Sequence, residues 1–237
     1  MERIDKIISS QGKYTRKEVK KLITQKRVKL NNEIVLKSDI KIDPDISEIY
    51  IDGIKLCIKK YLYLVLNKPK GYVSATEDNN QNTVLDLIPS EFNRKGLFPA
   101  GRLDLDTTGL MLITDDGIFA HNILSPKKHI KKSYEVEIDI NVTEEMVKGF
   151  ENGVQLNDHK CKPAKLNITG NNTAIVTISE GRYHQIKRMF GCFGAKVLNL
   201  HRISMGNFYL PNDLKEGCCR ELTLKELNMI QEKDDNE

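Results

Sequence analysis

Apolar residues in this chain fall into short periodic runs separated by clusters of glycine, proline, asparagine and aspartate. Ile4, Ile7 and Ile8 recur at helical spacing, and Thr15 stands where it can cap a second helix over residues 16–25, with Val19, Leu22 and Ile23 as its apolar stripe. Val28-Lys29-Leu30 and Ile34-Val35-Leu36, joined through Asn31-Asn32, predict a hairpin. Beyond these the runs read as strands at 61–66, 110–114, 134–140, 164–168 and 174–178, with helices at 84–88, 144–151 and 184–193. Lys68-Pro69-Lys70-Gly71 ends the first of those strands, because Pro69 has no N–H to give a ladder. The 110–114 run is bounded by Gly109 and by an Asp115-Asp116-Gly117 turn, as expected of a covered strand. Long connections mixed with hairpins predict an α+β protein, a large, mostly antiparallel or mixed sheet flanked by helices, preceded by a small unit of two helices and a hairpin.

Length and charge refine that division. A chain of 237 residues, 39% of them hydrophobic, can bury one medium core and one small one. The expected boundaries are 1–57 for the small unit, a linker at 58–61, a larger domain at 62–231 and an acidic tail at 232–237. Residues 1–60 carry fifteen Lys and Arg against nine Asp and Glu, which places the excess of the +4 net charge in the small unit. Arg16, Lys17, Lys20 and Arg27 are its candidate phosphate-binding residues; a basic face on a helix pair is otherwise a solvated surface. No apolar run approaches the ~20 residues needed to cross a bilayer, and the start Met-Glu-Arg-Ile-Asp-Lys has no apolar secretory core, so a cytoplasmic protein without membrane partners is expected. The five cysteines are scattered and never spaced as CxxC, so neither a disulfide framework nor a metal site is indicated, and no cofactor is expected.

Candidate chemistry concentrates in Gly101-Arg102-Leu103-Asp104-Leu105-Asp106-Thr107-Thr108-Gly109. Two carboxylates sit there in a small-residue turn that enters a buried strand, a place where a loop can present a side chain while the sheet fixes it. The segment from Glu180 to Phe190, GRYHQIKRMF after the glutamate, supplies cations. A cation within ~4–6 Å keeps an aspartate ionised, and an ionised aspartate can act as a nucleophile. Asp106 reads as a turn residue bonding its own backbone, and Asp115 and Asp116 as hairpin-turn residues. Arg102 suits either a phosphate or a neighbouring acid. The run from Lys127 to Lys132 reads as a solvated loop or a rail for a polyanion, and His201-Arg202 as polar residues at a strand end.

Leu66-Asn67-Lys68-Pro69-Lys70-Gly71-Tyr72-Val73, GRLD with Thr107-Thr108-Gly109-Leu110, Lys132-Ser133-Tyr134, and Glu180 to Phe190 resemble, in order and spacing, the motifs of RNA pseudouridine synthases. The matching branch is that of ribosomal small-subunit pseudouridine synthase A, whose catalytic domain follows an S4 RNA-binding module similar to the first sixty residues. This resemblance implies isomerisation of uridine to pseudouridine, with Asp104 as the essential carboxylate, Lys187 as its basic partner and Arg182 as the second choice. It implies Tyr134 as the ring that stacks on an extruded base, and Lys68, Arg102, Arg182, His184 and Arg188 as RNA contacts. The implied partner is 16S ribosomal RNA within a small-subunit assembly intermediate, approached by a monomer. A 23S site, or a non-catalytic assembly factor, are the alternatives. Tyr183-His184 resembles the small-subunit branch.

Overall fold

The computed structural model describes residues 1–92, 94–125 and 128–232. They divide into two compact units, Met1–Leu62 with Ile88–Leu97, and Tyr63–Leu87 with the chain from Phe98 onward.

The N-terminal unit contains β1 (Glu2–Arg3), α1 (Ile4–Ser10), α2 (Arg16–Thr24), β2 (Val28–Leu30), β3 (Glu33–Ile34), β4 (Lys41–Ile42), β5 (Ile49–Ile51) and β6 (Ile54–Lys55). Strands β3-β2-β5-β6 form one antiparallel sheet, and β1 pairs with β4. Helix α2 starts in a capping box: the Thr15 hydroxyl accepts from the Glu18 N–H while the Glu18 carboxylate accepts from the Thr15 N–H at 2.7 Å. Its stripe of Val19, Leu22 and Ile23 packs with Ile4, Ile8, Val28 and Ile49 in one core. Each such side chain contributes about 1.5–3 kcal/mol on burial, enough for this small unit to define its own interior. The opposite face leaves Arg16, Lys17 and Lys20 exposed, whereas Arg27 is held by both oxygens of Asp52, its Nε 2.7 Å from Oδ1. The second strand of the expected hairpin stops at Ile34, two residues short of the apolar run.

The larger unit is one sheet covered by helices. Its elements are β7 (Tyr63–Lys68), a 3-10 turn at Val84–Leu87, β8 (Phe98–Pro99), β9 (Thr108–Thr114), α3 (Gly117–Leu124), β10 (Lys132–Ile138), α4 (Glu144–Glu151), β11 (Lys165–Ile168), β12 (Thr173–Ile178), α5 (Gln185–Gly191), β13 (Val197–Met205), β14 (Phe208–Tyr209), β15 (Cys219–Glu221) and α6 (Leu224–Gln231). Strand order is β11-β12-β10-β13-β9-β7-β15, with β14 on β13 and β8 on β9. Among the described strands only β9 and β13 pair in parallel, and that seam lies at the centre of the sheet. Val65, Leu110 and Leu112 from β7 and β9 pack with Phe119 and Ile123 of α3 and with Leu227 and Ile230 of α6. Phe150 of α4 meets Phe190 of α5 with ring centroids 4.9 Å apart.

Several expectations are corrected. Asp115-Asp116-Gly117 opens a helix instead of a hairpin: Asp116 Oδ1 accepts from the Ile118 and Phe119 N–H groups, and Tyr63 Oη donates to its other oxygen at 2.7 Å. The 61–66 strand begins at Tyr63 and runs on through Lys68, so only Pro69 ends it. Lys132 is no part of a solvated loop; it opens β10 and is buried, while Lys127 lies outside the described residues. Arg202 is mid-strand and 2% exposed, because parallel pairing to β9 covers it. Residues 233–237 of the expected tail lie outside the described residues. No helix among the described residues is long and apolar enough to cross a membrane.

Candidate active site

The loop between β8 and β9 carries Asp104, and the sequence around it explains why that loop is rigid. Lys68, at the end of β7, is fully buried, and its ammonium donates to the carbonyl oxygens of Pro69, Asp104, Leu105 and Thr107 at 2.9–3.4 Å. Burial pulls its pKa down to about 8, with Asp106 and Asp104 opposing. The Ser74 hydroxyl clamps the same loop, donating to the Leu103 carbonyl at 2.8 Å and accepting from the Leu103 N–H at 3.0 Å. Gly109 follows with φ +99°, and a Cβ there would lie 2.3 Å from the Arg202 carbonyl oxygen. Only glycine lets β9 and β13 approach so closely. Thr108 Oγ1 and His201 Nδ1, 2.7 Å apart, tie the same seam.

Opposite the loop stands α5. Glu180 is buried and fixes the approach to the helix: its carboxylate accepts from Gln185 Nε2 at 2.9 Å and from the Lys162 N–H at 3.0 Å. Gln185 in turn accepts from the Arg182 N–H. His184 then takes a left-handed conformation, φ 48°, with its ring stacked on Tyr183 at 3.9 Å.

These two supports bring the charged groups together. Lys187 Nζ lies 3.2 Å from Asp104 Oδ2 and 2.6 Å from Asp106 Oδ1, and His184 Nε2 lies 3.5 Å from Asp104 Oδ1. Burial pulls the Lys187 pKa down, but hydrogen bonds and attraction from the two carboxylates outweigh it and leave a net upward shift. The hydrogen bond from Lys187 holds the Asp106 carboxyl below its usual range. Asp106 is therefore more than the turn residue its position suggested, since it shares the cation of Asp104.

The pair opens on a cleft of about 510 Å³, within the usual range for small-molecule sites. Tyr134, Lys132 and Arg202 form part of its wall, together with Arg102, Arg182, His184 and Thr107. Tyr134 is 7% exposed and stands on β10 directly across from Arg202 on β13. Arg102 is exposed and has no acidic partner among the described residues.

Other candidates are placed elsewhere. Lys68 is closed off beneath the loop and offers nothing to RNA, because four carbonyl oxygens surround its charge. Arg182 pairs with Glu180 at 3.3 Å instead of with Asp104. Arg188 forms an ion pair with Asp158 and does not line the cleft. Reading the sequence alone missed Lys132 and Arg202 as cleft residues, although Lys132 and Tyr134, two apart on one strand, must share a face.

Residues 62–191 match the model of the RNA pseudouridylate synthase family, and residues 2–45 match the S4 domain. The chain belongs to the RNA pseudouridylate synthase family. It is 41% identical over 231 residues to the ribosomal small subunit pseudouridine synthase A of Escherichia coli K12, covering 96% of this chain and 99% of that one. An uncharacterized RNA pseudouridine synthase of Bacillus subtilis strain 168 is also 41% identical, over 97% of this chain and 98% of its own. A crystal structure of a pseudouridylate synthase superposes with a TM-score of 0.68 at 40% identity, covering 97% of this chain and 100% of that chain. Membership makes the protein an isomerase acting on RNA. Pseudouridine synthases move the link between sugar and base from ring nitrogen to ring carbon.

Proposed function

We propose that the protein converts one specific uridine of 16S ribosomal RNA to pseudouridine, with the base extruded into the cleft beside Asp104. The observation that carries this reading is the Asp104–Lys187 contact at 3.2 Å, opening on a cleft that Tyr134 lines. Similarity to small-subunit pseudouridine synthases across the whole length of the chain supports the choice of 16S over 23S RNA.

In this reading Asp104 works as the ionised form, whether it attacks the sugar or removes a sugar proton. Lys187, itself held by Asp106, pairs with Asp104 and orients it, and Tyr134 offers a ring against the base. Extrusion from a stack costs a few kcal/mol, which contacts outside the cleft must offset. Arg102, exposed at the cleft and without an ionic partner among the described residues, holds a neighbouring phosphate in this reading, and His184 contacts RNA. In the S4 unit, taken as residues 1–57, the exposed Arg16, Lys17 and Lys20 anchor the RNA backbone without choosing the base. The protein acts as a cytoplasmic monomer on an assembly intermediate of the small subunit.

Mapping pseudouridines in ribosomal RNA from cells with and without this protein tests the reading. One 16S position should lose its pseudouridine and regain it on complementation. Loss at a 23S position would redirect the substrate assignment, and an unchanged map would refute the proposal.

A further inference from the structure

Beneath the cleft the protein buries positive charge that no acid among the described residues neutralises. Lys132 is 6% exposed, and one hydrogen bond, 2.9 Å to the Ile130 carbonyl oxygen, leaves two of its three N–H donors unused. Its charged neighbour is another cation, Arg202, which is 2% exposed. Arg202 donates through Nε to the Leu110 carbonyl at 2.6 Å, while its Nη2 has no partner among the described residues. Burial and the repulsion of Arg202 bring Lys132 to a pKa of about 8, still mostly charged at neutral pH. The carboxylates nearest the cleft are engaged elsewhere: Asp104 and Asp106 by Lys187, and Glu180 by Arg182 and Gln185. Two adjacent buried cations destabilise a fold, and an apolar side chain in place of Lys132 would cost less. Their place, on the same wall as Tyr134, indicates what balances them.

We propose that Lys132, backed by Arg202, is a cationic floor that receives a carbonyl oxygen of the extruded uracil and stabilises the negative charge the base carries once its glycosidic bond is broken. This rests on the pseudouridine synthase reading and extends it from the sugar side of the reaction to the base side. When the C1′–N1 bond breaks, its electron pair leaves with the base, giving a uracil anion delocalised over N1, O2, O4 and C5. The anion turns, C5 bonds to C1′, C5 gives up its proton and N1 gains one, so the sum is an isomerisation. Arg202 is the more deeply buried of the two, 2% exposed against 6%, so Lys132 makes the contact and Arg202 acts through its field, which low-dielectric surroundings leave poorly screened.

The test compares Lys132→Met, Lys132→Arg and wild type in single turnover on an unmodified transcript of the ribosomal RNA that the wild type converts. A second transcript carries 5-fluorouridine, whose base is a more stable anion, and cleavage of the N-glycosidic bond is read by chromatography of nucleoside digests. Lys132→Met should lose about a hundredfold in rate on uridine, keep RNA affinity, and melt at or above the wild-type temperature. Its deficit should shrink to about tenfold or less on 5-fluorouridine, and Lys132→Arg should retain most activity. An undiminished rate in Lys132→Met, or an equal deficit on both substrates together with a lower melting temperature, would overturn the inference by making Lys132 a packing residue. If the wild type converts no ribosomal uridine, the parent reading fails instead, and the two failures are thereby told apart.

Discussion

The two units place their positive charge in opposite settings. On α2 of the N-terminal unit, Arg16, Lys17 and Lys20 stand in solvent, while in the larger unit Lys68, Lys132 and Arg202 are buried around the cleft. Exposed cations act at a distance and are screened by salt, so they suit capture of a polyanion. Buried cations cost stability and give rigid local fields, so they suit the fixing of a loop or the stabilisation of a developing charge. Lys187 lies between the two cases, partly exposed and shared by two carboxylates. Sequence composition alone counts all seven as positive charge, and only burial separates their roles.

That contrast can be broken at several points. Among the cations the largest effect is expected from Lys187→Met, which removes the charge beside Asp104: the single-turnover rate should fall by about a hundred- to thousandfold with the salt dependence of RNA binding unchanged. A changed salt slope with an intact rate would place Lys187 among the capture residues.

Next is stability against pH. Lys132 has a folded pKa near 8 against an ordinary 10.5, and burial moves Lys68 in the same direction. Between those values the unfolded chain binds more protons than the folded one, so unfolding free energy should rise with pH across that window. A shift of this size corresponds to about 3 kcal/mol for Lys132. Lys132→Met should flatten the rise and be the more stable protein at neutral pH, as chemical denaturation at several pH values would show. An equally steep rise in that variant would mean that Lys132 is not the group titrating.

Replacing Arg16, Lys17 and Lys20 together by Ala should weaken RNA binding by about tenfold and lower the slope of log affinity against log salt by roughly two, with the rate on bound RNA unchanged. These point substitutions are cleaner than deleting residues 1–57, because Ile88–Leu97 packs with that unit and Arg94 donates to the Lys59 carbonyl at 3.2 Å. The smallest effect should come from the caps. Thr15→Ala and Thr223→Ala should each cost about 1 kcal/mol, the first in the N-terminal unit and the second in the larger one, read as separate shifts in hydrogen exchange. A shift appearing in the wrong unit would contradict the division of the chain.

Elements with a clean period are legible in the sequence itself. Helix α4 occupies 144–151 as its pattern predicts, and α2 ends one residue early. The capping signal of Thr15 recurs as Thr223-x-x-Glu226 at the start of α6, where the same reading would have found a helix. Helix α3 is harder, since Asp-Asp-Gly suits a hairpin turn and an N-cap equally well and its residues are apolar on several sides. In the site, motif similarity marks Asp104, Tyr134 and Lys187, which the fold gathers at one cleft. Lys68 and Arg202 could not be placed from local sequence. Their burial comes from a loop about 36 residues away and from a parallel strand pair 92 residues apart.

The most direct test of the whole reading is pseudouridine formation by Asp104→Asn, assayed beside RNA binding on the same ribosomal RNA. No detectable pseudouridine, with a dissociation constant within about threefold of wild type, is the expected result. Turnover at the wild-type rate would show that the carboxylate held by Lys187 is not the group that does the chemistry.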